Sequence, residues 1–230
     1  MTSSQVTGVL LIAVPVLFNL AFAGLAARFD YPDILRRPTA EVLRRFAAGG
    51  TSLLLLWWAL ALSAVLLAPL AVLVAGALGD AGGTVLSLGV VTGVVAAAVQ
   101  FLGLVRWPFL VPYLAREATG PDASPARLEA VDVVFQAFNR YLGVAVGEHL
   151  GYLLTGAWSV LTGVAMLQGD AVPAWLGVAG IVVGLALAVC AAEFVGPFEA
   201  AGWAAAGRLT PVAYVAWSAW LVATGVVLVL

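Results

Sequence analysis

Apolar residues fill six long stretches of this chain, roughly 6–28, 51–77, 84–106, 141–166, 173–196 and 210–230, with short polar connections between them. Each is near the roughly 20 residues that a helix needs to cross a hydrocarbon core about 30 Å thick. Lipid offers no hydrogen-bond partners, so a spanning backbone must satisfy itself within helices or a closed barrel. The pattern predicts an all-α, polytopic integral membrane protein with six transmembrane helices in a single domain over residues 1–230.

Local sequence adds detail to several stretches. The second, "TSLLLLWWALALSAVLLAPLAVLVAG", is long enough to tilt, and Pro69 is expected to kink it. The third runs on into "VRWPFLVPYLAREATG", where Pro108 and Pro112 should bend it at the interface. The fourth is predicted to begin as an amphipathic helix near Pro125 and to carry a polar face through "RLEAVDVVFQAFNRY" before entering lipid. In the first, Ala21-Phe22-Ala23 imitates a signal-peptide cleavage triplet, but no basic region precedes it, so a permanent span is expected.

Charge then orients the bundle. The first, third and fifth connections hold Arg28, Arg36, Arg37, Arg44 and Arg45, then Arg116 and Arg127, then Arg208. Arg106 and Arg140 stand at helix ends on that same side. The second and fourth connections hold only the acids Asp80 and Asp170. The positive-inside rule puts the arginine-bearing connections in the cytoplasm and both termini outside a cell (plasma) membrane. Within the first connection, "RRPTAEVLRRFAAGG" reads as a short interfacial helix. Thr39 is placed to cap it, Val42, Leu43 and Phe46 form its apolar face, and Gly49-Gly50 should end it.

Composition agrees with this and removes some chemistry. The chain is 63% hydrophobic and 10% charged, against about half and about a quarter in soluble domains. A net charge of −2 adds nothing to where the charges sit. The single cysteine, Cys190, excludes an internal disulfide and a cysteine-based metal site. One histidine excludes a bis-histidine haem site within the chain. Nucleic-acid binding has no support, because the five-arginine connection lacks interleaved aromatics and lies against the membrane.

The stretch "LGVAVGEHLGYLLTG" holds that histidine beside a carboxylate inside a predicted span. At about 100° per residue, positions three and four apart share a face. Gly143, Gly147 and Gly151 then form one ridge, matched by Gly89, Gly93 and Ala97 on the third span and Gly180, Gly184 and Ala188 on the fifth. Small-residue ridges let helix backbones approach closely. They serve equally inside a monomer or in a homo-oligomer. A second line runs Tyr141, Ala145, Glu148, Tyr152, Thr155, Ser159, Thr162, and it must face the protein interior or water. On the same winding His149 points about 100° away from Glu148, so the two do not form one catalytic pair.

Depth along the predicted spans groups Asn19, Gln100, Arg106, Arg140, Glu148 and His149 in the inner leaflet, with Glu193 nearer the surface. A charge in mid-membrane costs at least about 2.5 kcal/mol on insertion scales. Glu148 is therefore expected to be protonated, paired with Arg106 or Arg140, or wet. An intramembrane ionisable residue is a functional-site candidate by default, and an arginine–glutamate clamp holding the bundle is the structural alternative.

Three segments, "YPDILRRPTAEVLRRF", "QFLGLVRWPFLVPYLA" and "FNRYLGVAVGEHLGYLLTGAWSVL", together resemble a bacterial and archaeal membrane-protein family known only as domain of unknown function 4386. The matching positions include Tyr31, Pro38, Gln100, Arg106, Pro108, Asn139, Arg140, Glu148 and Gly151. The resemblance covers nearly the whole chain and implies a polytopic membrane protein. It brings no reaction and no catalytic residues.

Three functions follow for a chain whose one evident partner is the lipid bilayer. A structural, regulatory or sensory bundle, in which the polar cluster sets helix register and the cytoplasmic connections meet an unknown partner, is the first reading. A small transporter or ligand-binding protein, using Glu148 and the Tyr152–Thr162 stripe, is the second. An intramembrane enzyme is third: H-E-x-x-H and G-x-S-x-G sequences are absent, and no catalytic residue, metal or cofactor is expected.

Overall fold

A computed structural model describes residues 2–121 and 123–230, with the backbone alone at residues 80 and 81. The side chain of Asp80, one of the two acids expected on the outer connections, therefore lies outside the described residues. Eight α-helices account for most of the described chain: α1 (Ser3–Phe29), α2 (Thr39–Val65), α3 (Leu67–Leu78), α4 (Gly83–Thr119), α5 (Pro125–Phe138), α6 (Gly151–Gln168), α7 (Ala174–Cys190) and α8 (Ala204–Val229). Asn139–Leu150, between α5 and α6, is wound as a π-helix.

Five of the resulting rods are long and apolar enough to cross a membrane: Ser3–Phe29, Thr39–Leu78, Gly83–Thr119, Pro125–Gln168 and Ala204–Val229. The stretch expected at 173–196 forms a shorter apolar helix, Ala174–Cys190, that stops before Glu193. At 1.5 Å per residue its 17 residues reach about 25 Å. Leu20, Val91, Phe109, Val182 and Val212 are exposed on the outside of the bundle, a surface suited to lipid rather than water.

Glycines set how closely the rods pack. Gly156 and Gly184 lie against each other's carbonyl oxygens, as do Gly163 and Gly177, so α6 and α7 run antiparallel in backbone contact. Gly8 and Gly225 make the same reciprocal contact between the start of α1 and the end of α8. The first and last helices therefore bring the chain's ends to one end of the bundle. Gly143, Gly147 and Gly151 all face α4, where they meet Arg106, Gly103 and Gln100. The expected ridge on α7 divides: Gly184 meets α6, whereas Gly180 receives the Trp220 ring of α8.

Several local expectations hold. The helix expected to begin near Pro125 does so as α5, and Ser124, not singled out in the sequence, caps it. Val42, Leu43 and Phe46 form the buried face of the first part of α2. Gly50, at φ 56° and ψ −152°, breaks the winding between that part and the long apolar rod. The rod itself breaks at Leu66, three residues before Pro69, whose missing N–H removes a helical bond.

Others need correction. Thr39 does not cap α2; it is the first helical residue, and its hydroxyl accepts a 3.0 Å bond from Gln136 Nε2 on α5. The third stretch does run on as expected, with α4 continuing through Pro108 and Pro112 to Thr119. The 100° rule does not apply before Gly151, because π winding bonds i to i+5 and turns each residue through a smaller angle. Tyr141 consequently leaves the polar line and stands 69% exposed, and Ala145 is exposed beside it. The two glycines inside the π segment lower its α preference, and they admit the Arg106 guanidinium at Gly143 and the α4 backbone at Gly147.

Two buried clusters fill the bundle. One, toward the chain ends, is built on Leu11, Leu70, Trp158, Leu176, Trp217 and Trp220. The other, toward the arginine-bearing connections, is built on Phe29, Phe46, Trp57, Trp107, Val111 and Phe135.

Candidate functional site

The six expected inner-leaflet groups separate into distinct environments. Asn19 lies on the α1/α8 seam, where its Nδ2 donates to Ser218 Oγ at 2.9 Å and to Pro15 O at 2.7 Å. His149 turns to the end of α7, with Nδ1 2.7 Å from Ala191 O. Arg140 is exposed and pairs with the exposed Glu199, so it does not clamp Glu148. Gln100 crosses from α4 to α6, donating from Nε2 to Thr155 Oγ1 at 3.0 Å, with its chain against Gly151.

The hydroxyl stripe beyond Gln100 is buried. Thr155 and Ser159 are fully buried and Thr162 is 2% exposed. Ser159 Oγ donates to Thr155 O at 2.8 Å and accepts from Trp217 Nε1 of α8 at 3.0 Å. One chain of hydrogen bonds thus joins α4, α6 and α8, as buried polar groups require. Tyr152, one turn nearer the arginines, is only half-buried and packs edge-on against Tyr214, with ring centroids 5.2 Å apart.

Arg106 and Glu148 remain, and they do not touch. Arg106 is 9% exposed. Its guanidinium donates to Gly103 O of its own helix and, at 2.9 Å, to Asn139 Oδ1 at the start of the π segment. Its Cζ lies 5.4 Å from the centre of the Trp107 ring. No carboxylate pairs with it among the described residues. Glu148 is half-buried and makes no hydrogen bond or ion pair among those residues, yet it lies within electrostatic reach of Arg106, Tyr31, Tyr152 and Tyr214. The expected arginine–glutamate clamp is therefore absent as a direct contact.

A series of aromatic rings runs on from Trp107, the ring beside Arg106. Trp107 stacks on Trp57 at 4.2 Å, and Trp57 meets Tyr31 edge-on at 4.9 Å. Tyr31 meets Phe22 at 5.3 Å, Phe22 follows Phe18 at 6.3 Å, and Phe18 stacks on Tyr214 at 5.9 Å before Tyr152 completes the series. Between Tyr31 and Tyr152 every ring is half-buried. The buried indole N–H groups of Trp57 and Trp107 have no acceptor among the described residues. Tyr31 stands in the first connection, where burial, reinforced by the nearby Glu148 carboxylate, pushes its phenol up; it stays neutral and can donate. Glu193, past the end of α7, sets its carboxylate against Gly207.

Sequence reading named Arg106, Glu148 and Tyr152 but missed the series of rings as such. Phe18, Phe22, Trp57 and Tyr214 sit in apolar runs where nothing distinguishes a site-lining ring from a core ring. Tyr31 and Asn139 were marked only by the family resemblance. Among the described residues, no group of three or more His, Cys, Asp and Glu side chains could hold a metal ion. No curated protein and no solved structure matches this chain. A family described as Domain of unknown function (DUF4386) matches over residues 6–225, and the chain belongs to that family.

Proposed function

We propose that the protein is a six-span sensory or regulatory bundle of the plasma membrane, held in register by its polar interior, with both termini extracytoplasmic. The observation that supports the first part is the hydrogen-bond chain Gln100–Thr155–Ser159–Trp217, which ties the hydroxyl stripe to α4 and α8. The Gly8–Gly225 contact supports the span count, because termini at one end of a bundle require an even number of crossings. The ten arginines and the absence of basic residues from the second and fourth connections support the orientation. On this reading the buried-faced helix of Thr39–Gly49 lies along the cytoplasmic interface.

A second reading, ligand binding in the cytoplasmic half, is favoured by one specific observation: Arg106 is buried with no carboxylate paired to it among the described residues. Both readings are tested by water accessibility along the fourth rod. Cys190 is replaced by Ala, single cysteines are introduced by Glu148→Cys, Thr155→Cys, Ser159→Cys and Thr162→Cys, and each is labelled with a membrane-impermeant thiol reagent from either side. The expected result is labelling at 148 from the cytoplasm and none at 155, 159 or 162. Labelling along the whole stripe in a folded protein would replace the bundle reading with a transport pathway.

A further inference from the structure

We propose that the outward-facing groove between α1 and α8 docks a second copy of this chain, each copy seating Leu20 in the groove of the other. The inference goes beyond the readings above and needs only that α1 and α8 cross a bilayer, in either orientation.

Val16, Asn19 and Leu20 of α1 and Ser218, Ala219 and Val222 of α8 line an open groove of about 370 Å³. About 150 Å³ is room enough for a benzene-sized group, so a leucine side chain entering from outside fits. Leu20, at the groove, is 66% exposed and projects from the same surface. A protrusion and a hollow thus stand side by side, an arrangement that two copies related by a twofold axis use twice.

The polar atoms show the same self-match. Asn19 is exposed on this face, roughly 15 Å along the helix from Phe29 and so near mid-span. Its Nδ2 has two hydrogens, and both are used, on Pro15 O at 2.7 Å and on Ser218 Oγ at 2.9 Å. Among the described residues its Oδ1 accepts no bond, and the Ser218 hydroxyl donates none. An acyl chain lying in the groove would satisfy neither atom. In a facing copy, each Ser218 hydroxyl can donate to the other copy's Asn19 Oδ1, giving two equivalent bonds.

Membrane geometry allows this pairing. Copies inserted with one topology share a twofold axis along the membrane normal, so equal depths meet. Asn19 and Ser218 are bonded to each other, lie at one depth, and therefore face their own counterparts. Polar side chains that bond across helices hold helices together in lipid. The glycines that could serve instead are already used inside the bundle, at the Gly8–Gly225, Gly156–Gly184 and Gly163–Gly177 contacts.

The test uses the full chain with Cys190→Ala and one label site, Ala123→Cys in the exposed loop before α5, reconstituted alone in phosphatidylcholine vesicles. Donor- and acceptor-labelled copies are mixed, and energy transfer is followed against the protein-to-lipid ratio. The expected result is saturable transfer that unlabelled chain competes away. Leu20→Ala removes the protrusion and Ala219→Trp fills the groove from within; each should move half-saturation at least tenfold toward higher ratios. Ser218→Ala removes the hydroxyl donor and should move it at least threefold. Val182→Ala trims a side chain 60% exposed on α7 and should leave it unchanged.

Leu20→Ala trims an exposed side chain and keeps the Asn19–Ser218 bond, so it decides alone where another variant does not fold. Absence of saturable transfer leaves the groove to lipid or to another protein's helix and overturns the proposal. Transfer that a folded Leu20→Ala, Ala219→Trp or Ser218→Ala leaves unchanged also overturns it, because the copies then meet elsewhere. So does an equal loss from Val182→Ala.

Discussion

Gly103 on α4 lies where the closest approach in the bundle's centre can be tested. A β-carbon there would fall 2.6 Å from Gly147 Cα and 2.9 Å from Leu142 O, both backbone atoms of the π segment. Ordinary contact begins near 3.4 Å. Gly103→Ala must therefore open this interface by about 0.8 Å or displace the π winding, since no flexible side-chain end can yield. Overpacking of this kind costs about 1–3 kcal/mol, and a contact against backbone belongs at the upper end. Alanine returns about 0.8–1 kcal/mol of helix preference. The net loss is about 2 kcal/mol, or a midpoint lower by roughly 4–8 °C for a chain of this size. Gly76→Ala is the internal control: nothing lies within 4 Å of its β-carbon, and it sits in α3. It should gain up to about 1 kcal/mol. Differential scanning fluorimetry of both variants in the same detergent measures the contrast. If Gly103→Ala raises the midpoint as Gly76→Ala does, the backbone contact carries no weight and the account of the α4 interface is wrong.

Two further outcomes can be measured in the same format. Trp217→Phe removes the donor to Ser159 Oγ inside the stripe and should cost about 1 kcal/mol; a double-mutant cycle with Ser159→Ala should return a coupling of about 0.6–1.7 kcal/mol, and a coupling of zero would remove this bond from the account of helix register. Arg140→Gln breaks a pair whose side chains are 60% and 62% exposed, so it should shift stability by less than about 0.5 kcal/mol; a larger loss would mean that Arg140 acts inside the bundle after all.

The parts of this fold that were legible follow from lipid's demands on a backbone. Long apolar runs became helices, and the charged connections fell at one end, because both rules act on segments rather than on single residues. The glycine ridges were legible for the same reason: a missing side chain has one use in a packed helix pair. The centre of the site was less legible. The angular reading failed before Gly151 because a hydrogen-bond shift from i+4 to i+5 leaves no mark in residue types, and it moved Tyr141 out to the surface. The pairing of Glu148 failed because charge and depth limit the candidates without fixing distance; Arg140 found Glu199 outside, and Arg106 found Asn139 and a ring face. Aromatic residues in an apolar composition are silent until contacts show which rings meet.

The clasp between Gly8 and Gly225 limits where this bundle can move. There α1 and α8 touch backbone to backbone, so sliding or parting would break contacts on both helices together. Toward the arginine-bearing end the same two helices meet through side chains, Asn19 with Ser218 and Phe18 with Tyr214. Those can re-rotamer without disturbing either ladder. The two helices are thus fixed backbone to backbone at the termini, and a change of side chain at Asn19 or Phe18 leaves that clasp in place.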